Sequence, residues 1–334
     1  MRAVKAALLA AVALLPAVAG WLARELRAPA GRPAEAFFVV EKGWTARAVI
    51  GRLRERSFVR SALPLRLACR LFYPERTFKA GEYLLTPPLS AKEALFRMFG
   101  GRTYLEPVTV PEGLTGAEVA ALLRPGDPAG AAAFLAAFRA AGRIADWDPL
   151  AGDLEGYLFP DTYMLPRKAP EADLVAAMVG GFRRVFDGER RRRAEELGLT
   201  VREAVTLASL VEEETALPEE RPLVSAVFHN RLRLGMKLDC DPTVAYALKL
   251  EGRYTGRLLL RDLKHPSPYN TYLRAGLPPG PISNPGRESL DAALHPAAGD
   301  YLYFVARGDG GHAFSRTLGE HSAAVRRLRA LKNR

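Results

Sequence analysis

The sequence predicts an α+β protein in which an apolar N-terminal helix precedes one small and one larger mixed unit. Three observations lead to this prediction. Residues 6–23 carry no charge, and short strand candidates alternate with longer amphipathic helices through the rest of the chain. A chain of 334 residues with 49% hydrophobic content is also long enough to bury two or three cores.

The N-terminal segment has the features of a single membrane anchor. Residues 1–5 contain Arg2 and Lys5, and the uncharged residues 6–23 would span about 27 Å as a helix. The positive charges predict a cytoplasmic N-terminus and an inner-membrane protein whose remaining chain lies on the periplasmic or extracellular side. A signal peptide cleaved after residues 17–19 is the alternative. Both interpretations export the bulk of the chain, so they argue against nucleic acid as the partner of its net charge of +11.

A short linker, residues 24–36, leads to the small unit at residues 37–103. FFVV (37–40) and EYLL (82–85) are strand candidates, with two helices predicted between them. Ser90 and Glu93 form a capping-box pattern that predicts a further helix ending at Gly100. The strand–helix–helix–strand order resembles LysM, a peptidoglycan-binding module, so a LysM-like subdomain is expected here.

The larger unit, residues 104–334, is predicted to be mixed α/β. Its helices are expected over 171–186, 190–197 and 201–215, and a late hairpin over 301–305 and 312–315. Two cysteines, Cys69 and Cys240, lack the spacing of a metal site, and His312 and His321 have no further ligands near them in sequence. The sequence therefore predicts separate thiols and no metal.

The stretch LASLVEEETALPEER (207–221) ends a predicted helix in three glutamates. On a helical wheel the buried stripe consists of Ala204, Leu207, Ala208 and Val211. Glu213 falls on the polar side with Arg202 and Thr206 and is expected to be solvated, whereas Glu212 and Glu214 border the stripe. A carboxyl beside apolar surface has a raised pKa, which suits a general acid. A helix end with three exposed acids is the alternative.

Six blocks of sequence, in a consistent order, resemble the endolytic murein transglycosylases of the MltG/YceG-like family. These blocks are LEGYLFPDTY (154–163), ASLVEEET (208–215), VFHNRLRLGMKLDCDPTV (227–244), SPYNTYLRAGLPPGPISNPG (267–286), AALHPA (292–297) and YLYFVARGDGGHAFS (301–315). The resemblance extends from about residue 36 to the C-terminus.

The resemblance implies a membrane-anchored enzyme of the cell envelope, with peptidoglycan glycan strands as substrate and penicillin-binding glycan polymerases as partners. Such enzymes cleave the β-1,4 bond between N-acetylmuramic acid and N-acetylglucosamine without water, leave 1,6-anhydro ends and terminate strand elongation. The family's catalytic glutamate falls on Glu212, and no cofactor is implied. Where the family usually has a basic residue, this sequence has Glu213, whose charge is expected to raise the pKa of Glu212 further.

Six further side chains are candidates for binding sugar groups: Glu155, Tyr157, Asp161, Glu214, Asn270 and Tyr272. Asp161 is equally well interpreted as a turn residue, and Asn270 as a residue that stabilises its own loop. Two rival functions stay open from sequence. One is a non-catalytic, peptidoglycan-binding scaffold. The other is a hydrolytic muramidase, which needs a second carboxylate opposite Glu212, with Glu155, Asp161 and Asp241 as candidates.

Overall fold

The chain forms two units in the computed structural model, which describes residues 16–28, 36–86 and 89–332. The N-terminal unit comprises Met1–Glu106 and Met164–Lys168, and the C-terminal unit comprises Pro107–Tyr163 and Ala169–Arg334. Strands β3 (Glu106–Thr109) and β4 (Thr162–Leu165) pair with each other where the chain passes between the units. The prediction of a mixed α and β fold is confirmed.

Helix α1 (16–27) precedes the first strand. Leu22 and Leu26 are 4% and 9% exposed and belong to the hydrophobic core of the N-terminal unit. Of the predicted membrane segment, residues 6–23, the part from 6 to 15 lies outside the described residues. Among the helices that the structure describes, none combines the length and apolar character needed to cross a bilayer.

The N-terminal unit has the strand–helix–helix–strand order that the sequence predicts. Strands β1 (Phe37–Val40) and β2 (Gly81–Leu84) are antiparallel, and Phe37 lies opposite Leu84. Between them lie α2 (Ala46–Glu55) and α3 (Leu63–Phe72), and α4 (Ala91–Phe99) follows with the predicted capping box in place. The element order is confirmed, and the likeness to LysM stays a prediction.

The C-terminal unit is mainly helical. Its remaining elements are α5 (Gly116–Leu123), α6 (Pro128–Phe138), α7 (Glu171–Val185), α8 (Gly188–Glu196), α9 (Val201–Glu214), α10 (Arg221–Arg233), α11 (Asp241–Leu250), α12 (Arg287–Leu294), β5 (Tyr303–Ala306), β6 (His312–Ser315) and α13 (Leu318–Lys332). β5 and β6 form the predicted antiparallel hairpin, and Tyr303 lies opposite Ser315.

Helix α9 lies inside this unit, with α10, α11 and α12 packed against it. It begins at a capping box made by Thr200 and Glu203, and every residue from 204 to 211 is buried. The prediction of a single buried stripe was therefore wrong, since Thr206 of the expected polar side is 1% exposed. The run is apolar or small on all sides, and a helix of that composition is enclosed by its neighbours.

Candidate active site

Helix α9 ends at Glu214, and the backbone becomes extended at Thr215, where φ is −145° and ψ is 133°. Three consecutive carboxyl groups are thus held at the end of a helix whose preceding turns are buried. The three side chains enter different surroundings. Two of these surroundings differ from the ones predicted by the helical wheel.

Glu212 is held by polar groups on two sides. One carboxylate oxygen, Oε2, accepts a hydrogen bond of 3.0 Å from the backbone N–H of Gly286, and the other, Oε1, lies 3.7 Å from the guanidinium of Arg221. Arg221 also pairs with Glu288. The side chain of Glu212 is 8% exposed. This side chain is thus buried, as that of a residue at the border of the stripe is expected to be. Its surroundings are not apolar, because α10 and the start of α12 bring a cation and an N–H donor to it.

The carboxyl group of Glu112 lies beside the groups that bind Glu212. A β-carbon added to Gly286 would overlap the carboxyl group of Glu112, so Glu112 lies directly against the residue whose N–H binds Glu212. Burial, and then the charge of Glu212, raise the pKa of Glu112. Gly286 has φ −75°, a value that any residue adopts. Space for Glu112, and not backbone conformation, therefore explains why position 286 needs glycine.

Glu213 and Glu214 are the carboxyls that lie in a desolvating environment. Burial raises the pKa of Glu213 to about 6 and that of Glu214 to about 7. The prediction that Glu213 is solvated was wrong, because α9 is enclosed on the side that the wheel assigned to solvent. Besides burial, the hydrogen bond from the Cys240 thiol lowers the pKa of Glu214, and the charge of Asp241 raises it.

Asp241 begins α11 and accepts a hydrogen bond of 2.6 Å from the hydroxyl of Tyr272. Tyr272 is partly exposed and joins the Glu214 and Asp241 side of the site. Asn270 is fully buried, and its side chain binds the carbonyls of Leu263 and His265 and the backbone N–H of Tyr272. These bonds fit the interpretation of Asn270 as a residue that stabilises its own loop.

Glu155 lies in the interior and joins three segments. It is 6% exposed, and its Oε1 accepts hydrogen bonds from Gly116 N–H at 3.0 Å and from the side chain of Asn284 at 2.9 Å. Tyr246 donates to its Oε2 at 3.3 Å. The backbone carbonyl of Asn284 in turn accepts from Gly113 N–H, beside Glu112. Glu155 thus helps to hold the loop that carries Glu112, and it does not line an open surface.

The other two candidates from the same sequence block also have partners within the protein. Tyr157 is 1% exposed and donates to Asp148 at 2.7 Å. Asp148 also pairs with Arg202, another residue that the wheel had assigned to solvent. Asp161 is exposed and accepts a hydrogen bond of 2.7 Å from the backbone N–H of Thr162, the next residue. The structure therefore places Glu212 and Glu214 two residues apart at the end of α9 in different surroundings, and it buries Tyr157 with a partner of its own.

The buried Glu155 makes a prediction about stability. Burial raises its pKa to about 8, against about 4.3 for a glutamate in an unfolded chain. Between these values the folded protein holds a proton that the unfolded chain has lost. The free energy of unfolding therefore falls as pH rises from about 4.3 to 8, by at most roughly 1.4 kcal/mol per pH unit.

We expect Glu155→Gln, which stays neutral, to weaken this pH dependence and to have a higher melting temperature than the parent at pH 8. Below about pH 4 the two proteins should melt alike, because both side chains are then neutral in the folded and in the unfolded chain. Exposed Glu195 on α8 offers the control, and Glu195→Gln should keep the parent's slope. Parallel slopes for Glu155→Gln and the parent would contradict a protonated Glu155.

Three residues of this site were not predicted from the sequence: Glu112, Arg221 and Gly286. Glu112 stands in VPEG (110–113), which reads as a turn, and Arg221 closes the acidic run EER (219–221). Gly286 ends the loop GLPPGPISNPG. None carries a periodic signal. Glu112 and Gly286 reach Glu212 through the packing of elements that are distant in sequence, and Arg221 reaches it from the start of the next helix, α10. The available signals were a carboxyl and a glycine in short Pro- and Gly-rich loops, and an arginine directly after an acidic run.

The chain is similar in sequence to a known family and to two named proteins. A model of the YceG-like family matches residues 38–327. The endolytic murein transglycosylase of Bacillus subtilis is 41% identical over 186 residues, which is 54% of this chain and 49% of that protein. The endolytic murein transglycosylase of Streptococcus pneumoniae D39 is 35% identical over 158 residues, or 46% of this chain and 28% of that protein. The matched residues thus span about half the length of the Bacillus subtilis protein and a smaller share of the Streptococcus pneumoniae protein.

A solved structure is similar over a larger part. The crystal structure of a YceG-like protein from Listeria monocytogenes, determined at 2.6 Å, matches with a TM-score of 0.58 and 29% identity. The match covers 86% of this chain and 97% of that one. The mixed α and β fold is therefore shared with a solved YceG-like protein.

Proposed function

The chain belongs to the YceG-like family, and we propose that it is a membrane-anchored endolytic murein transglycosylase. Its substrate is nascent peptidoglycan, cut at the β-1,4 bond between N-acetylmuramic acid and N-acetylglucosamine. Two relatives carry the name endolytic murein transglycosylase. The observation that carries the proposal is the carboxyl of Glu212, held at the end of a buried helix by Gly286 N–H and Arg221.

In the first step Glu212 acts as the general acid. Its proton passes to the bridging oxygen, the bond from that oxygen to C1 of the muramic acid breaks, and positive charge develops on the sugar ring. Gly286 N–H and Arg221 stabilise the carboxylate that Glu212 becomes once it has lost the proton. The proton transfer therefore needs no rearrangement of the groups around Glu212.

In the second step the same carboxylate acts as a base. It takes the proton from the C6 hydroxyl of the muramic acid, and the C6 oxygen bonds to C1 to close a 1,6-anhydro ring. Nucleophile and electrophile belong to one sugar, so proximity replaces an activated water. Glu212 ends the cycle protonated, which prepares it for the next bond.

Glu112 contributes negative charge beside Glu212. Its carboxyl lies against Gly286 on the exposed part of the site, where the positively charged ring would form. A carboxylate placed there lowers the energy of that ring by electrostatic attraction, and it contributes without bonding to the sugar. The proposed assignment is thus Glu212 for proton transfer and Glu112 for charge stabilisation.

Membrane anchoring through residues 6–23 is part of the proposal. Its support is the uncharged run itself, preceded by Arg2 and Lys5, and the continuation of that run into α1. The anchor would hold the catalytic unit close to the surface at which glycan strands are made.

A hydrolytic muramidase is the second candidate, and Glu112 is the specific observation in its favour. A carboxylate beside the general acid is the arrangement that ordinary glycosidases use to activate water or to attack C1. The sequence-based candidates for that second carboxylate were Glu155, Asp161 and Asp241. Of these, Glu155 is buried with its own partners, so Glu112 takes its place as the residue to test.

The two candidates differ in the chain ends they leave. Digestion of purified glycan strands should give 1,6-anhydro-muramyl ends if the proposal is right, and reducing ends if the chain is a muramidase. Mass spectrometry separates them, because the anhydro end lacks the mass of one water.

A further inference from the structure

The excess of positive over negative charge in this chain is confined to its N-terminal part. Residues 1–103 contain 18 of the 48 Lys and Arg but only 7 of the 37 Asp and Glu. Residues 104–334 contain 30 of each kind and are formally neutral. The whole net charge of +11 thus lies outside the unit that carries Glu212, so cleavage does not account for it.

Part of this charge surrounds a groove of about 530 Å³ on the N-terminal unit. The groove runs between the start of α2 and the outer face of α3, and four arginines line it: Arg47, Arg66, Arg70 and Arg76. Ile50, Cys69 and Tyr73 supply its apolar floor. No ion pair within the part of the chain that the structure describes involves any of the four arginines. Four guanidinium groups on one groove favour an anionic ligand.

Large apolar side chains lie exposed beside these arginines. Leu63, Arg66 and Arg70 follow the i, i+3, i+7 spacing on α3, so they lie on one face of that helix. Leu63 is 56% exposed, and Phe72, at the end of the same helix, is 59% exposed. Apolar side chains next to unpaired cations are typical of surfaces that rest on anionic lipid, where the side chains enter the headgroup region and the cations meet phosphates.

The position of this unit in the chain agrees with such a contact. Residues 16–23 of the uncharged run form the first part of α1, and Leu22 and Leu26 of α1 pack into the core of the same unit. The inference therefore rests on the proposed membrane anchoring and is independent of the proposed cleavage. If the anchor inserts, the bilayer surface is the nearest anionic surface to the groove.

We propose that the arginine-lined groove between α2 and α3 docks the N-terminal unit on the anionic phospholipid headgroups of the membrane that holds the anchor. Docking adds a lipid-dependent contact to the anchor and fixes the height of the N-terminal unit above the bilayer. Lipid composition then controls the docking through the anionic headgroups. Salt controls it as well, because the attraction of surface cations is screened within about 8 Å at physiological ionic strength.

The test uses the full chain reconstituted in vesicles, with a fluorophore attached at Leu63→Cys. Burial raises the pKa of the Cys69 thiol to about 11 and that of Cys240 far above its usual range, so a thiol reagent at pH 7 prefers the introduced cysteine. Quenching by lipid-borne quenchers reports docking. A second label at Leu150→Cys, 79% exposed in the C-terminal unit, measures the background.

We expect quenching at position 63 in vesicles that contain phosphatidylglycerol, little quenching in phosphatidylcholine alone, and loss of the signal at high salt. Removing two cations with Arg66→Gln and Arg70→Gln should lower the ratio of docked to undocked protein roughly 25-fold, at about fivefold per arginine. The matched control removes two exposed arginines from the C-terminal unit, Arg257→Gln and Arg261→Gln, and should leave that ratio unchanged.

Three results would overturn the inference. Equal quenching in neutral and anionic vesicles would mean an apolar contact alone, and absence of quenching in co-floating protein would mean that the groove does not dock. A response at position 63 to soluble peptidoglycan fragments, without one to phosphatidylglycerol, would assign the groove to glycan. Cleavage of soluble strands by the same preparations is scored separately, so an inactive chain that docks contradicts only the proposed function.

Discussion

Glu212→Gln should lower the rate of glycan cleavage by about 100-fold or more, since general acid catalysis contributes roughly 10²–10⁴ to such rates. Glutamine keeps the size of the side chain and can still accept the hydrogen bond from Gly286 N–H, but it carries no transferable proton. The fold should survive, and the circular dichroism spectrum and melting temperature should remain close to those of the parent. The measurement is the rate at which new chain ends appear.

Glu213→Gln is the matched control, because it makes the same chemical change one residue along the same helix. Glu213 is half-buried, and its pKa is raised to about 6, so a neutral side chain suits its surroundings. We expect its cleavage rate to stay within about threefold of the parent's at pH 7. Equal losses of cleavage rate in the two variants would contradict the assignment of the proton transfer to Glu212.

Gly286→Ala should lower the cleavage rate by about 10- to 100-fold, with only a small loss of stability. The new β-carbon would take the space of the Glu112 carboxyl, and misplacement of a catalytic group by about 1 Å can cost 100-fold. The carboxyl sits at the end of a flexible side chain, so it can turn aside without disturbing the fold. Alanine at the N-cap of α12 should cost about 1 kcal/mol or less.

A double-mutant cycle shows whether Glu112 is the cause of that loss. Glu112→Gln should itself lower the rate by roughly tenfold, and adding Gly286→Ala to it should lower the rate little further. Gly152→Ala serves as the control, since no atom lies within 4 Å of the added β-carbon there and its φ is ordinary. Fully additive losses would mean that Gly286 acts by another route and that Glu112 has no part in its effect.

Local elements of this fold follow from local signals. Thr200 and Glu203 mark the start of α9, and Ser90 and Glu93 that of α4, because a capping box satisfies backbone donors within four residues. Strands β1 and β6 begin and end as predicted, and β2 and β5 lie within one or two residues of their expected bounds. Glu212 was located by its motif before its partners were visible.

The surroundings of Glu212 depend on contacts distant in sequence. Gly286 lies 74 residues after Glu212, and Glu112 lies 100 residues before it, so no local pattern links them. The wheel also assumes one buried face, whereas residues 204–211 of α9 are buried on all sides, so Glu213 is half-buried and not solvated as expected. A motif names the group that reacts, but only packing determines whether a cation or an apolar surface lies beside it.

For a related reason, residue composition predicted the wrong environment for Glu155 and Tyr157. Both belong to an aromatic and acidic block that suits sugar binding, yet their polar atoms are satisfied by Gly116, Asn284 and Asp148 inside the protein. A carboxyl or hydroxyl that organises a loop has the same residue type as one that meets substrate. The difference is exposure, and exposure is a property of the fold.

The most direct test of the proposed mechanism is digestion of purified glycan strands in water enriched in ¹⁸O, with the new muramyl ends identified by mass spectrometry. The intramolecular step predicts 1,6-anhydro ends, one water lighter than reducing ends and free of ¹⁸O, and none of them from Glu212→Gln. Reducing ends that carry ¹⁸O would contradict the account, because they require water at C1, and would make Glu112 the first residue to test as the second carboxylate of a muramidase.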